Sequence, residues 1–176
     1  MTPLCEIALK YNTDKVRVNK DSHHDYTEFY HPFFQGRRVQ RLLEIGISHG
    51  GSLRMWRDYF PHAEIYGIDI KRESFFEDER IHCLQCDQSK IESLRTVGPR
   101  TGGRFDVIID DGSHIPLHQV VSFQVLYPLL TPGGVYIIED VSDDAPATRH
   151  IKQPYKIERR VFCSGWDNNL IIVPKV

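Results

Sequence analysis

Five short apolar runs alternating with helix-patterned segments constrain this chain most: RLLEI (41–45), IYGIDI (65–70), IHCLQC (81–86), FDVIID (105–110) and VYIIED (135–140). Each has the length of one buried strand, and strands that alternate with helices predict a parallel sheet covered on both faces. Between the first two runs, Leu53, Trp56 and Phe60 fall at i, i+3 and i+7 with Met55 and Tyr59 beside them, so GSLRMWRDYF is expected as an amphipathic helix stopped by Pro61. After the fourth run, Leu117, Val121, Val125 and Leu129 form an i+4 row beside Phe123, Leu126 and Leu130. Pro128 should kink the last turn of that helix, and TPGG (131–134) should turn the chain into the fifth strand. RVFC and NLIIVP, joined by the polar SGWDNN, read as an antiparallel hairpin and bring the strand count to seven.

Residues 1–40 lack clear periodicity apart from YTEFYHPFF. They are expected to be an N-terminal extension of the same domain with one short helix, ahead of the main unit at 41–176. A chain of 176 residues supports one core rather than two. With 26% charged residues and a net charge of −2, it has no global field for a nucleic acid. The basic stretch Arg149, Lys152, Lys156, Arg159 and Arg160 is expected to be solvated. The N-terminus carries no secretory pattern and no apolar run nears the ~18 residues of a membrane span, so the expectation is a cytoplasmic protein with no membrane partner. Its four cysteines are expected as thiols, with Cys83 and Cys86 on opposite faces of one strand rather than paired on a metal.

Ligands of an open parallel sheet bind at the carboxyl ends of its strands. The first run ends in Glu44, Gly46 and Gly50, a turn that lets a ligand approach the backbone. Its spacing is E-x-G-x-x-x-G, without the third glycine of a dinucleotide loop and without a basic residue for a pyrophosphate. The second run ends in Asp69, placed to accept from ribose hydroxyls, and Asp87 after the third could accept from an adenine amine or cap the next helix. A nucleoside site without a phosphate clamp suits S-adenosylmethionine better than NAD. An NAD-linked oxidoreductase and a non-catalytic nucleoside-binding domain are the alternatives. The fourth run ends in adjacent carboxylates, Asp110 and Asp111, which need solvent, a cation or a ligand nearby.

LLEIGISHGGSLRMWRDYFPHAEIYGIDI, FDVIIDDGSH, VVSFQVLYPLLTPGGVYIIED and the early YNTDK…HHDYTEFY resemble the class I S-adenosylmethionine-dependent methyltransferases. Within them the chain is similar to the macrolide-sugar O-methyltransferases of the mycinamicin and demethylmacrocin kind, from about residue 11 to 173. The pairing of IDDGSH with IED carries the narrower likeness. The resemblance implies a Rossmann-like α/β fold of five parallel strands plus a C-terminal antiparallel hairpin. It implies a methyl donor at the first three strand ends, and a divalent cation such as Mg²⁺ with a histidine base at the fourth and fifth. On this sequence the implied metal ligands are Asp111, Glu139 and Asp140, and the implied base is His114. The implied donor residues are Glu44, Gly46, Gly50 and Asp69, with Asp87 on the adenine side and Asp110 near the methionine end. Three carboxylates converging from adjacent strand ends repel one another unless a hard cation lies among them, which agrees with this assignment.

Thr13, Asp14, His24 and Tyr30 are candidates for covering the donor, while His49, His62, His82 and His150 are expected on the surface. The implied acceptor is a small-molecule hydroxyl, on a sugar of a glycosylated natural product; a vicinal diol or catechol would suit the metal equally, and the relatives suggest a homo-oligomer. VSDDAPATRH and CDQSK depart from the family pattern and bear on acceptor recognition.

Overall fold

A computed structural model describes residues 1–18, 24–159 and 168–176. The seven strands are β1 (Arg41–Ile45), β2 (Glu64–Asp69), β3 (Ile81–Gln85), β4 (Phe105–Asp110), β5 (Leu130–Val141), β6 (Lys156–Glu158) and β7 (Asn169–Pro174). They form one sheet in the order β3-β2-β1-β4-β5-β7-β6. Strands β1 to β5 are parallel, whereas β7 runs antiparallel to both β5 and β6. This is the expected Rossmann-like sheet, and its strand order reverses between β1 and β4, where such sheets bind ligands.

Side chains alternate across the sheet because successive strand residues point to opposite faces. Leu42, Val107 and Ile137 pack on one face, and Leu43, Ile108 and Ile138 on the other. Helices α1 (Pro3–Lys10), α2 (Tyr26–Phe34) and α3 (Gly51–Tyr59) contribute to the first layer; α4 (Ile91–Arg95), α5 (Val97–Thr101) and α6 (Pro116–Leu126) cover the second. Cys83 and Cys86 lie in opposite layers, as strand geometry requires.

Several sequence expectations change. The N-terminal region holds two helices rather than one. The hydroxyl of Thr2 caps α1, a helix too short for its period to stand out, and Leu4, Cys5 and Ala8 are buried. On α2, Tyr26, Tyr30 and Phe34 share an i, i+4, i+8 stripe, and the rings of Tyr30 and Phe34 sit 5.3 and 5.8 Å from that of Trp56. Secondly, Leu117 stands out of the row noted on α6 at 68% exposed, while Val121 and Val125 are half-buried and Val120, Phe123 and Leu126 face the sheet. Apolar residues occur nearly all round this helix, so periodicity alone could not choose the face. Thirdly, β7 pairs with β6 at Lys156–Glu158. The run expected there, RVFC at 160–163, lies outside the described residues.

Strand β5 starts earlier than expected, and TPGG is drawn into it because Gly133 and Gly134 exchange backbone hydrogen bonds with Lys175. Pro128 falls in a single 3₁₀ turn, Tyr127–Leu129, that ends α6. Among the described residues no helix is long and apolar enough to cross a membrane.

Candidate active site

The site is built on the close approach of the β1 and β4 ends. Gly46 has φ +94°, and a Cβ added there would lie 2.1 Å from the carbonyl oxygen of Asp111. Only glycine meets both conditions. Gly46→Ala is therefore expected to cost at least the ~1–3 kcal/mol of a misplaced backbone, read as a lower urea midpoint; an unchanged midpoint would contradict this packing. Gly50, also left-handed at φ +73°, instead makes room for the Phe76 ring and opens α3.

A cleft of about 740 Å³ opens over the ends of β1, β2, β3 and β4. Ile45, Ile68, Ile70 and Cys86 give it apolar walls, with Asp69, Asp87 and Gln88 as polar groups. The Asp69 carboxylate accepts from the backbone N–H of Ile47 (2.9 Å), Ser48 (3.4 Å) and Lys71 (2.8 Å). It therefore ties the glycine turn to β2 and retains roughly one of a carboxylate's four acceptor positions for a ribose hydroxyl, not the two expected. Asp87 accepts from the Ser89 backbone N–H (3.0 Å) and hydroxyl (2.6 Å) and from Lys90 (2.9 Å), which hold its carboxyl below the usual range. It closes a turn; the cap position of α4 belongs to Lys90.

Several implied donor residues stand behind the wall. Asp110 is buried, and burial pushes its carboxyl up to about 7. It accepts from Gln88 Nε2 at 2.6 Å, while Gln88 Oε1 accepts from the Ser113 N–H at 2.9 Å. The wall residue is thus Gln88, which the sequence reading passed over, and Asp110 orients it. Glu44 lies beneath the cleft, fully buried, with its carboxyl raised to about 7 by burial. Tyr30 is likewise buried and donates to Glu139 Oε1 at 2.6 Å. Glu44, Tyr30 and Asp110 are not placed to touch a donor directly, because each strand-end or helix residue here turns into the packed layer rather than toward the opening.

A second lobe of about 870 Å³ shares Gly46, Ser48, His49, Asp111 and Gly112 with the first, and is bordered by Thr13, Asp14, His24, His114 and Asp140. Thr13 and Asp14 therefore reach this acidic lobe rather than the nucleoside side. His49, expected simply on the surface, borders both lobes. Four residues on the wall of the second lobe, Asn12 (φ 51°), Ser48 (48°), His114 (57°) and Asp140 (52°), adopt the left-handed backbone that non-glycine residues rarely take. Such strain concentrates at functional sites.

Oxygens of Asp111 and Asp140 and a ring nitrogen of His114 all lie within 4.8 Å of one another. His114 Nε2 is 3.4 Å from Asp111 Oδ1 and 3.1 Å from Asp140 Oδ2. Its hydrogen bond to Asp111 raises the imidazole pKa, opposed by burial and helped by the Asp140 charge. Burial and the charge of Asp111 push Asp140 up. Burial would also raise Asp111, but the Lys15 ammonium and His114 outweigh it and hold that carboxyl below its usual range. The two facing carboxylate oxygens fit a divalent cation, with the imidazole beside them.

Glu139, the third implied ligand, points elsewhere: it is fully buried, bonded to Lys15 through Oε2 and to Tyr30 through Oε1. Lys15 is the residue the sequence reading missed most plainly; its one visible signal was its place at the end of YNTDK. Tyr26, also missed as a site residue, donates to Asp140 Oδ1 at 2.6 Å. His24 stacks on it at 4.8 Å.

The FtsJ-like methyltransferase family matches residues 24–142. The mycinamicin VI 2''-O-methyltransferase of Micromonospora griseorubida is 42% identical over 147 residues, covering 78% of this chain and 36% of that protein. The 8-demethyl-8-alpha-L-rhamnosyl tetracenomycin-C 2'-O-methyltransferase of Streptomyces olivaceus is 39% identical over 147 residues, 78% of this chain and 37% of that protein. Among solved structures, the MycE methyltransferase from the mycinamycin biosynthetic pathway, in complex with Mg, SAH and mycinamycin VI, matches with a TM-score of 0.70 and 39% identity over 80% of this chain and 37% of that chain. The chain thus spans little more than a third of the length of these relatives. Because the family match runs from α2 through β5 and takes in every strand end that borders the cleft, the chain belongs to the FtsJ-like methyltransferase family.

Proposed function

We propose that this chain carries the centre of an S-adenosylmethionine-dependent, divalent-cation-assisted O-methyltransferase acting on a sugar hydroxyl of a glycosylated natural product. The observation that carries this reading is the Asp111–His114–Asp140 group in the second lobe, with Asp111 on the lip shared with the first. A nucleoside donor in the first lobe and an acceptor in the second would meet at that lip, where positioning alone supplies much of the catalysis. Support also comes from the relatives, named as a 2''-O-methyltransferase of mycinamicin VI and a 2'-O-methyltransferase of a rhamnosyl tetracenomycin, and from the MycE complex with Mg and SAH.

Asp111 Oδ1 and Asp140 Oδ2 would hold the cation. When bound, it supplies Lewis-acid polarisation that lowers the pKa of an acceptor hydroxyl. His114 Nε2 faces the two oxygens that would hold the cation; with the cation on those oxygens this nitrogen would be free of them and would accept the hydroxyl proton. The apolar wall at Ile45, Ile68 and Ile70 takes the purine, and Asp69 binds one ribose hydroxyl. A cytoplasmic location belongs to the same reading, with Cys5, Cys83 and Cys86 as free thiols. The alternative NAD-linked reading gains nothing from a cleft whose loop lacks a third glycine.

The test is transfer of a labelled methyl group from S-adenosylmethionine to glycosylated polyketides, with Mg²⁺ and with excess chelator. Transfer that needs the cation supports the reading, and full transfer in chelator overturns its metal part. Asp69→Ala should weaken S-adenosylhomocysteine binding by about 10- to 100-fold, the worth of one charge-assisted hydrogen bond and a loosened turn. Unchanged calorimetric affinity, or tight NAD binding by the unaltered protein, would count against the donor site.

A further inference from the structure

Successive residues of a strand point to opposite faces, yet the neighbours Glu139 and Asp140 are both met by tyrosines of α2. The cause is a bulge in β5. Ile138 pairs with Ile171 and Val141 with Asn169, so Glu139 and Asp140 together stand opposite the single residue Leu170. Ile138 and Val141 pack in the layer of α6, whereas Leu170 packs in the layer of α2. The extra residue therefore sets two acids in succession on the α2 side, and Asp140 absorbs the bend with its left-handed φ of 52°. Tyr26 and Tyr30, one helical turn apart, take one acid each.

The two contacts differ. Asp140 falls between the paired positions of β5 and β7, and its backbone N–H donates to the Tyr26 hydroxyl oxygen at 3.2 Å. The same hydroxyl donates to Asp140 Oδ1 at 2.6 Å. One buried oxygen thus holds the backbone and the side chain of a single residue. Tyr26 is itself fixed: it is 1% exposed, stacked on His24 at 4.8 Å and edge-on to Tyr30 at 6.3 Å. The next residue, Thr27, donates its N–H to the Lys15 carbonyl at 3.1 Å, which pins the first turn of α2.

We propose that Tyr26 is a positioning residue for the cation: by joining the N–H and Oδ1 of Asp140 it locks the β5 bulge and leaves Oδ2 aimed into the second lobe. The proposal rests on the metal-assisted reading given above. Its physical basis is that a partner which fixes a ligating carboxylate removes the cost of ordering it when the ion binds.

Tyr26→Phe keeps the ring and its stacking and removes only the hydroxyl. The expected result is Mn²⁺ binding weakened by about 10- to 100-fold in calorimetry, the usual effect of losing such a partner. The Mg²⁺ concentration for half-maximal methyl transfer should rise by the same factor, while kcat at saturating Mg²⁺ stays within about threefold. A tyrosine that only packs would lower the melting temperature and leave Mn²⁺ affinity unchanged, and that result overturns the proposal. Should the variant fail to fold, hydrogen exchange at the Asp140 amide of the unaltered protein decides. Slow exchange that Mg²⁺ slows further supports the proposal, because the ion and the hydroxyl then stabilise one conformation. Exchange as fast as that of an unpaired surface amide, or unaffected by bound Mg²⁺, overturns it. No Mn²⁺ bound by the unaltered protein would defeat the metal-assisted reading and this proposal with it, an outcome distinct from an unchanged affinity in the variant.

Discussion

Asp111→Asn is expected to lower methyl transfer by about 10³-fold or more, several kcal/mol of lost Lewis-acid stabilisation, while S-adenosylhomocysteine affinity stays within about threefold because the donor contacts are backbone and Asp69. Asp111 is the only residue of the cation group that borders both lobes, so it bears on the reacting geometry and on the cation together. The amide keeps the shape but removes the charge, and it turns a donor toward either Lys15 or the cation. Glu139 still receives the Lys15 ammonium, so the fold should survive. Rates measured across a Mg²⁺ titration, with donor affinity from calorimetry, check this. A variant with near-normal turnover at saturating donor would show that the cation, if bound, is held elsewhere.

His114→Asn is expected to lower kcat by about 10²- to 10⁴-fold, the usual worth of a positioned base, with donor affinity unchanged. Asparagine is chosen because it tolerates the left-handed backbone at φ 57°, which alanine does not favour. The imidazole must be unprotonated to accept the hydroxyl proton. Since Asp111 and Asp140 raise its pKa, the imidazole should titrate above the ordinary histidine value by NMR in the cation-free protein, and the acidic limb of the kcat profile measured with the cation should vanish in the variant. Stability runs the other way. A raised folded pKa stabilises the protein fully below the unfolded value of about 6.5 and loses that effect as pH rises through the folded value. In chelator, the unaltered protein should therefore outlast His114→Asn in thermal melts at pH 5.5, with the gap closing toward pH 8. A pH-independent gap would mean that His114 is only packed there.

The strand ends were legible because apolar runs of strand length are rare enough to stand out, and because an open parallel sheet places every run's carboxyl end on one side. That reasoning located Gly46, Asp69, Asp87, Asp111, His114 and Asp140 at the cleft. It could not tell a residue that faces the cleft from its neighbour that faces the core. Alternation along a strand decides that, and a register offset of one residue reverses it. Thus Asp110 points into the layer where Asp111 points out, and Glu139 turns inward where Asp140 lines the lobe.

By itself the sequence determined the parallel core of the sheet and the side of it on which chemistry occurs, since these follow from hydrophobic period and from residue types at strand ends, while the methyl donor was implied by the family resemblance. Only the tertiary structure decided how the acids are partnered. Lys15, Tyr26 and Tyr30 are separated from Asp111, Glu139 and Asp140 by roughly a hundred residues of chain, and nothing local pairs them with those acids. A lysine at the end of a polar segment reads as solvated until folding brings three carboxylates around it. Burial then makes the pairing obligatory, because neither the ammonium nor the carboxylates could remain charged there alone.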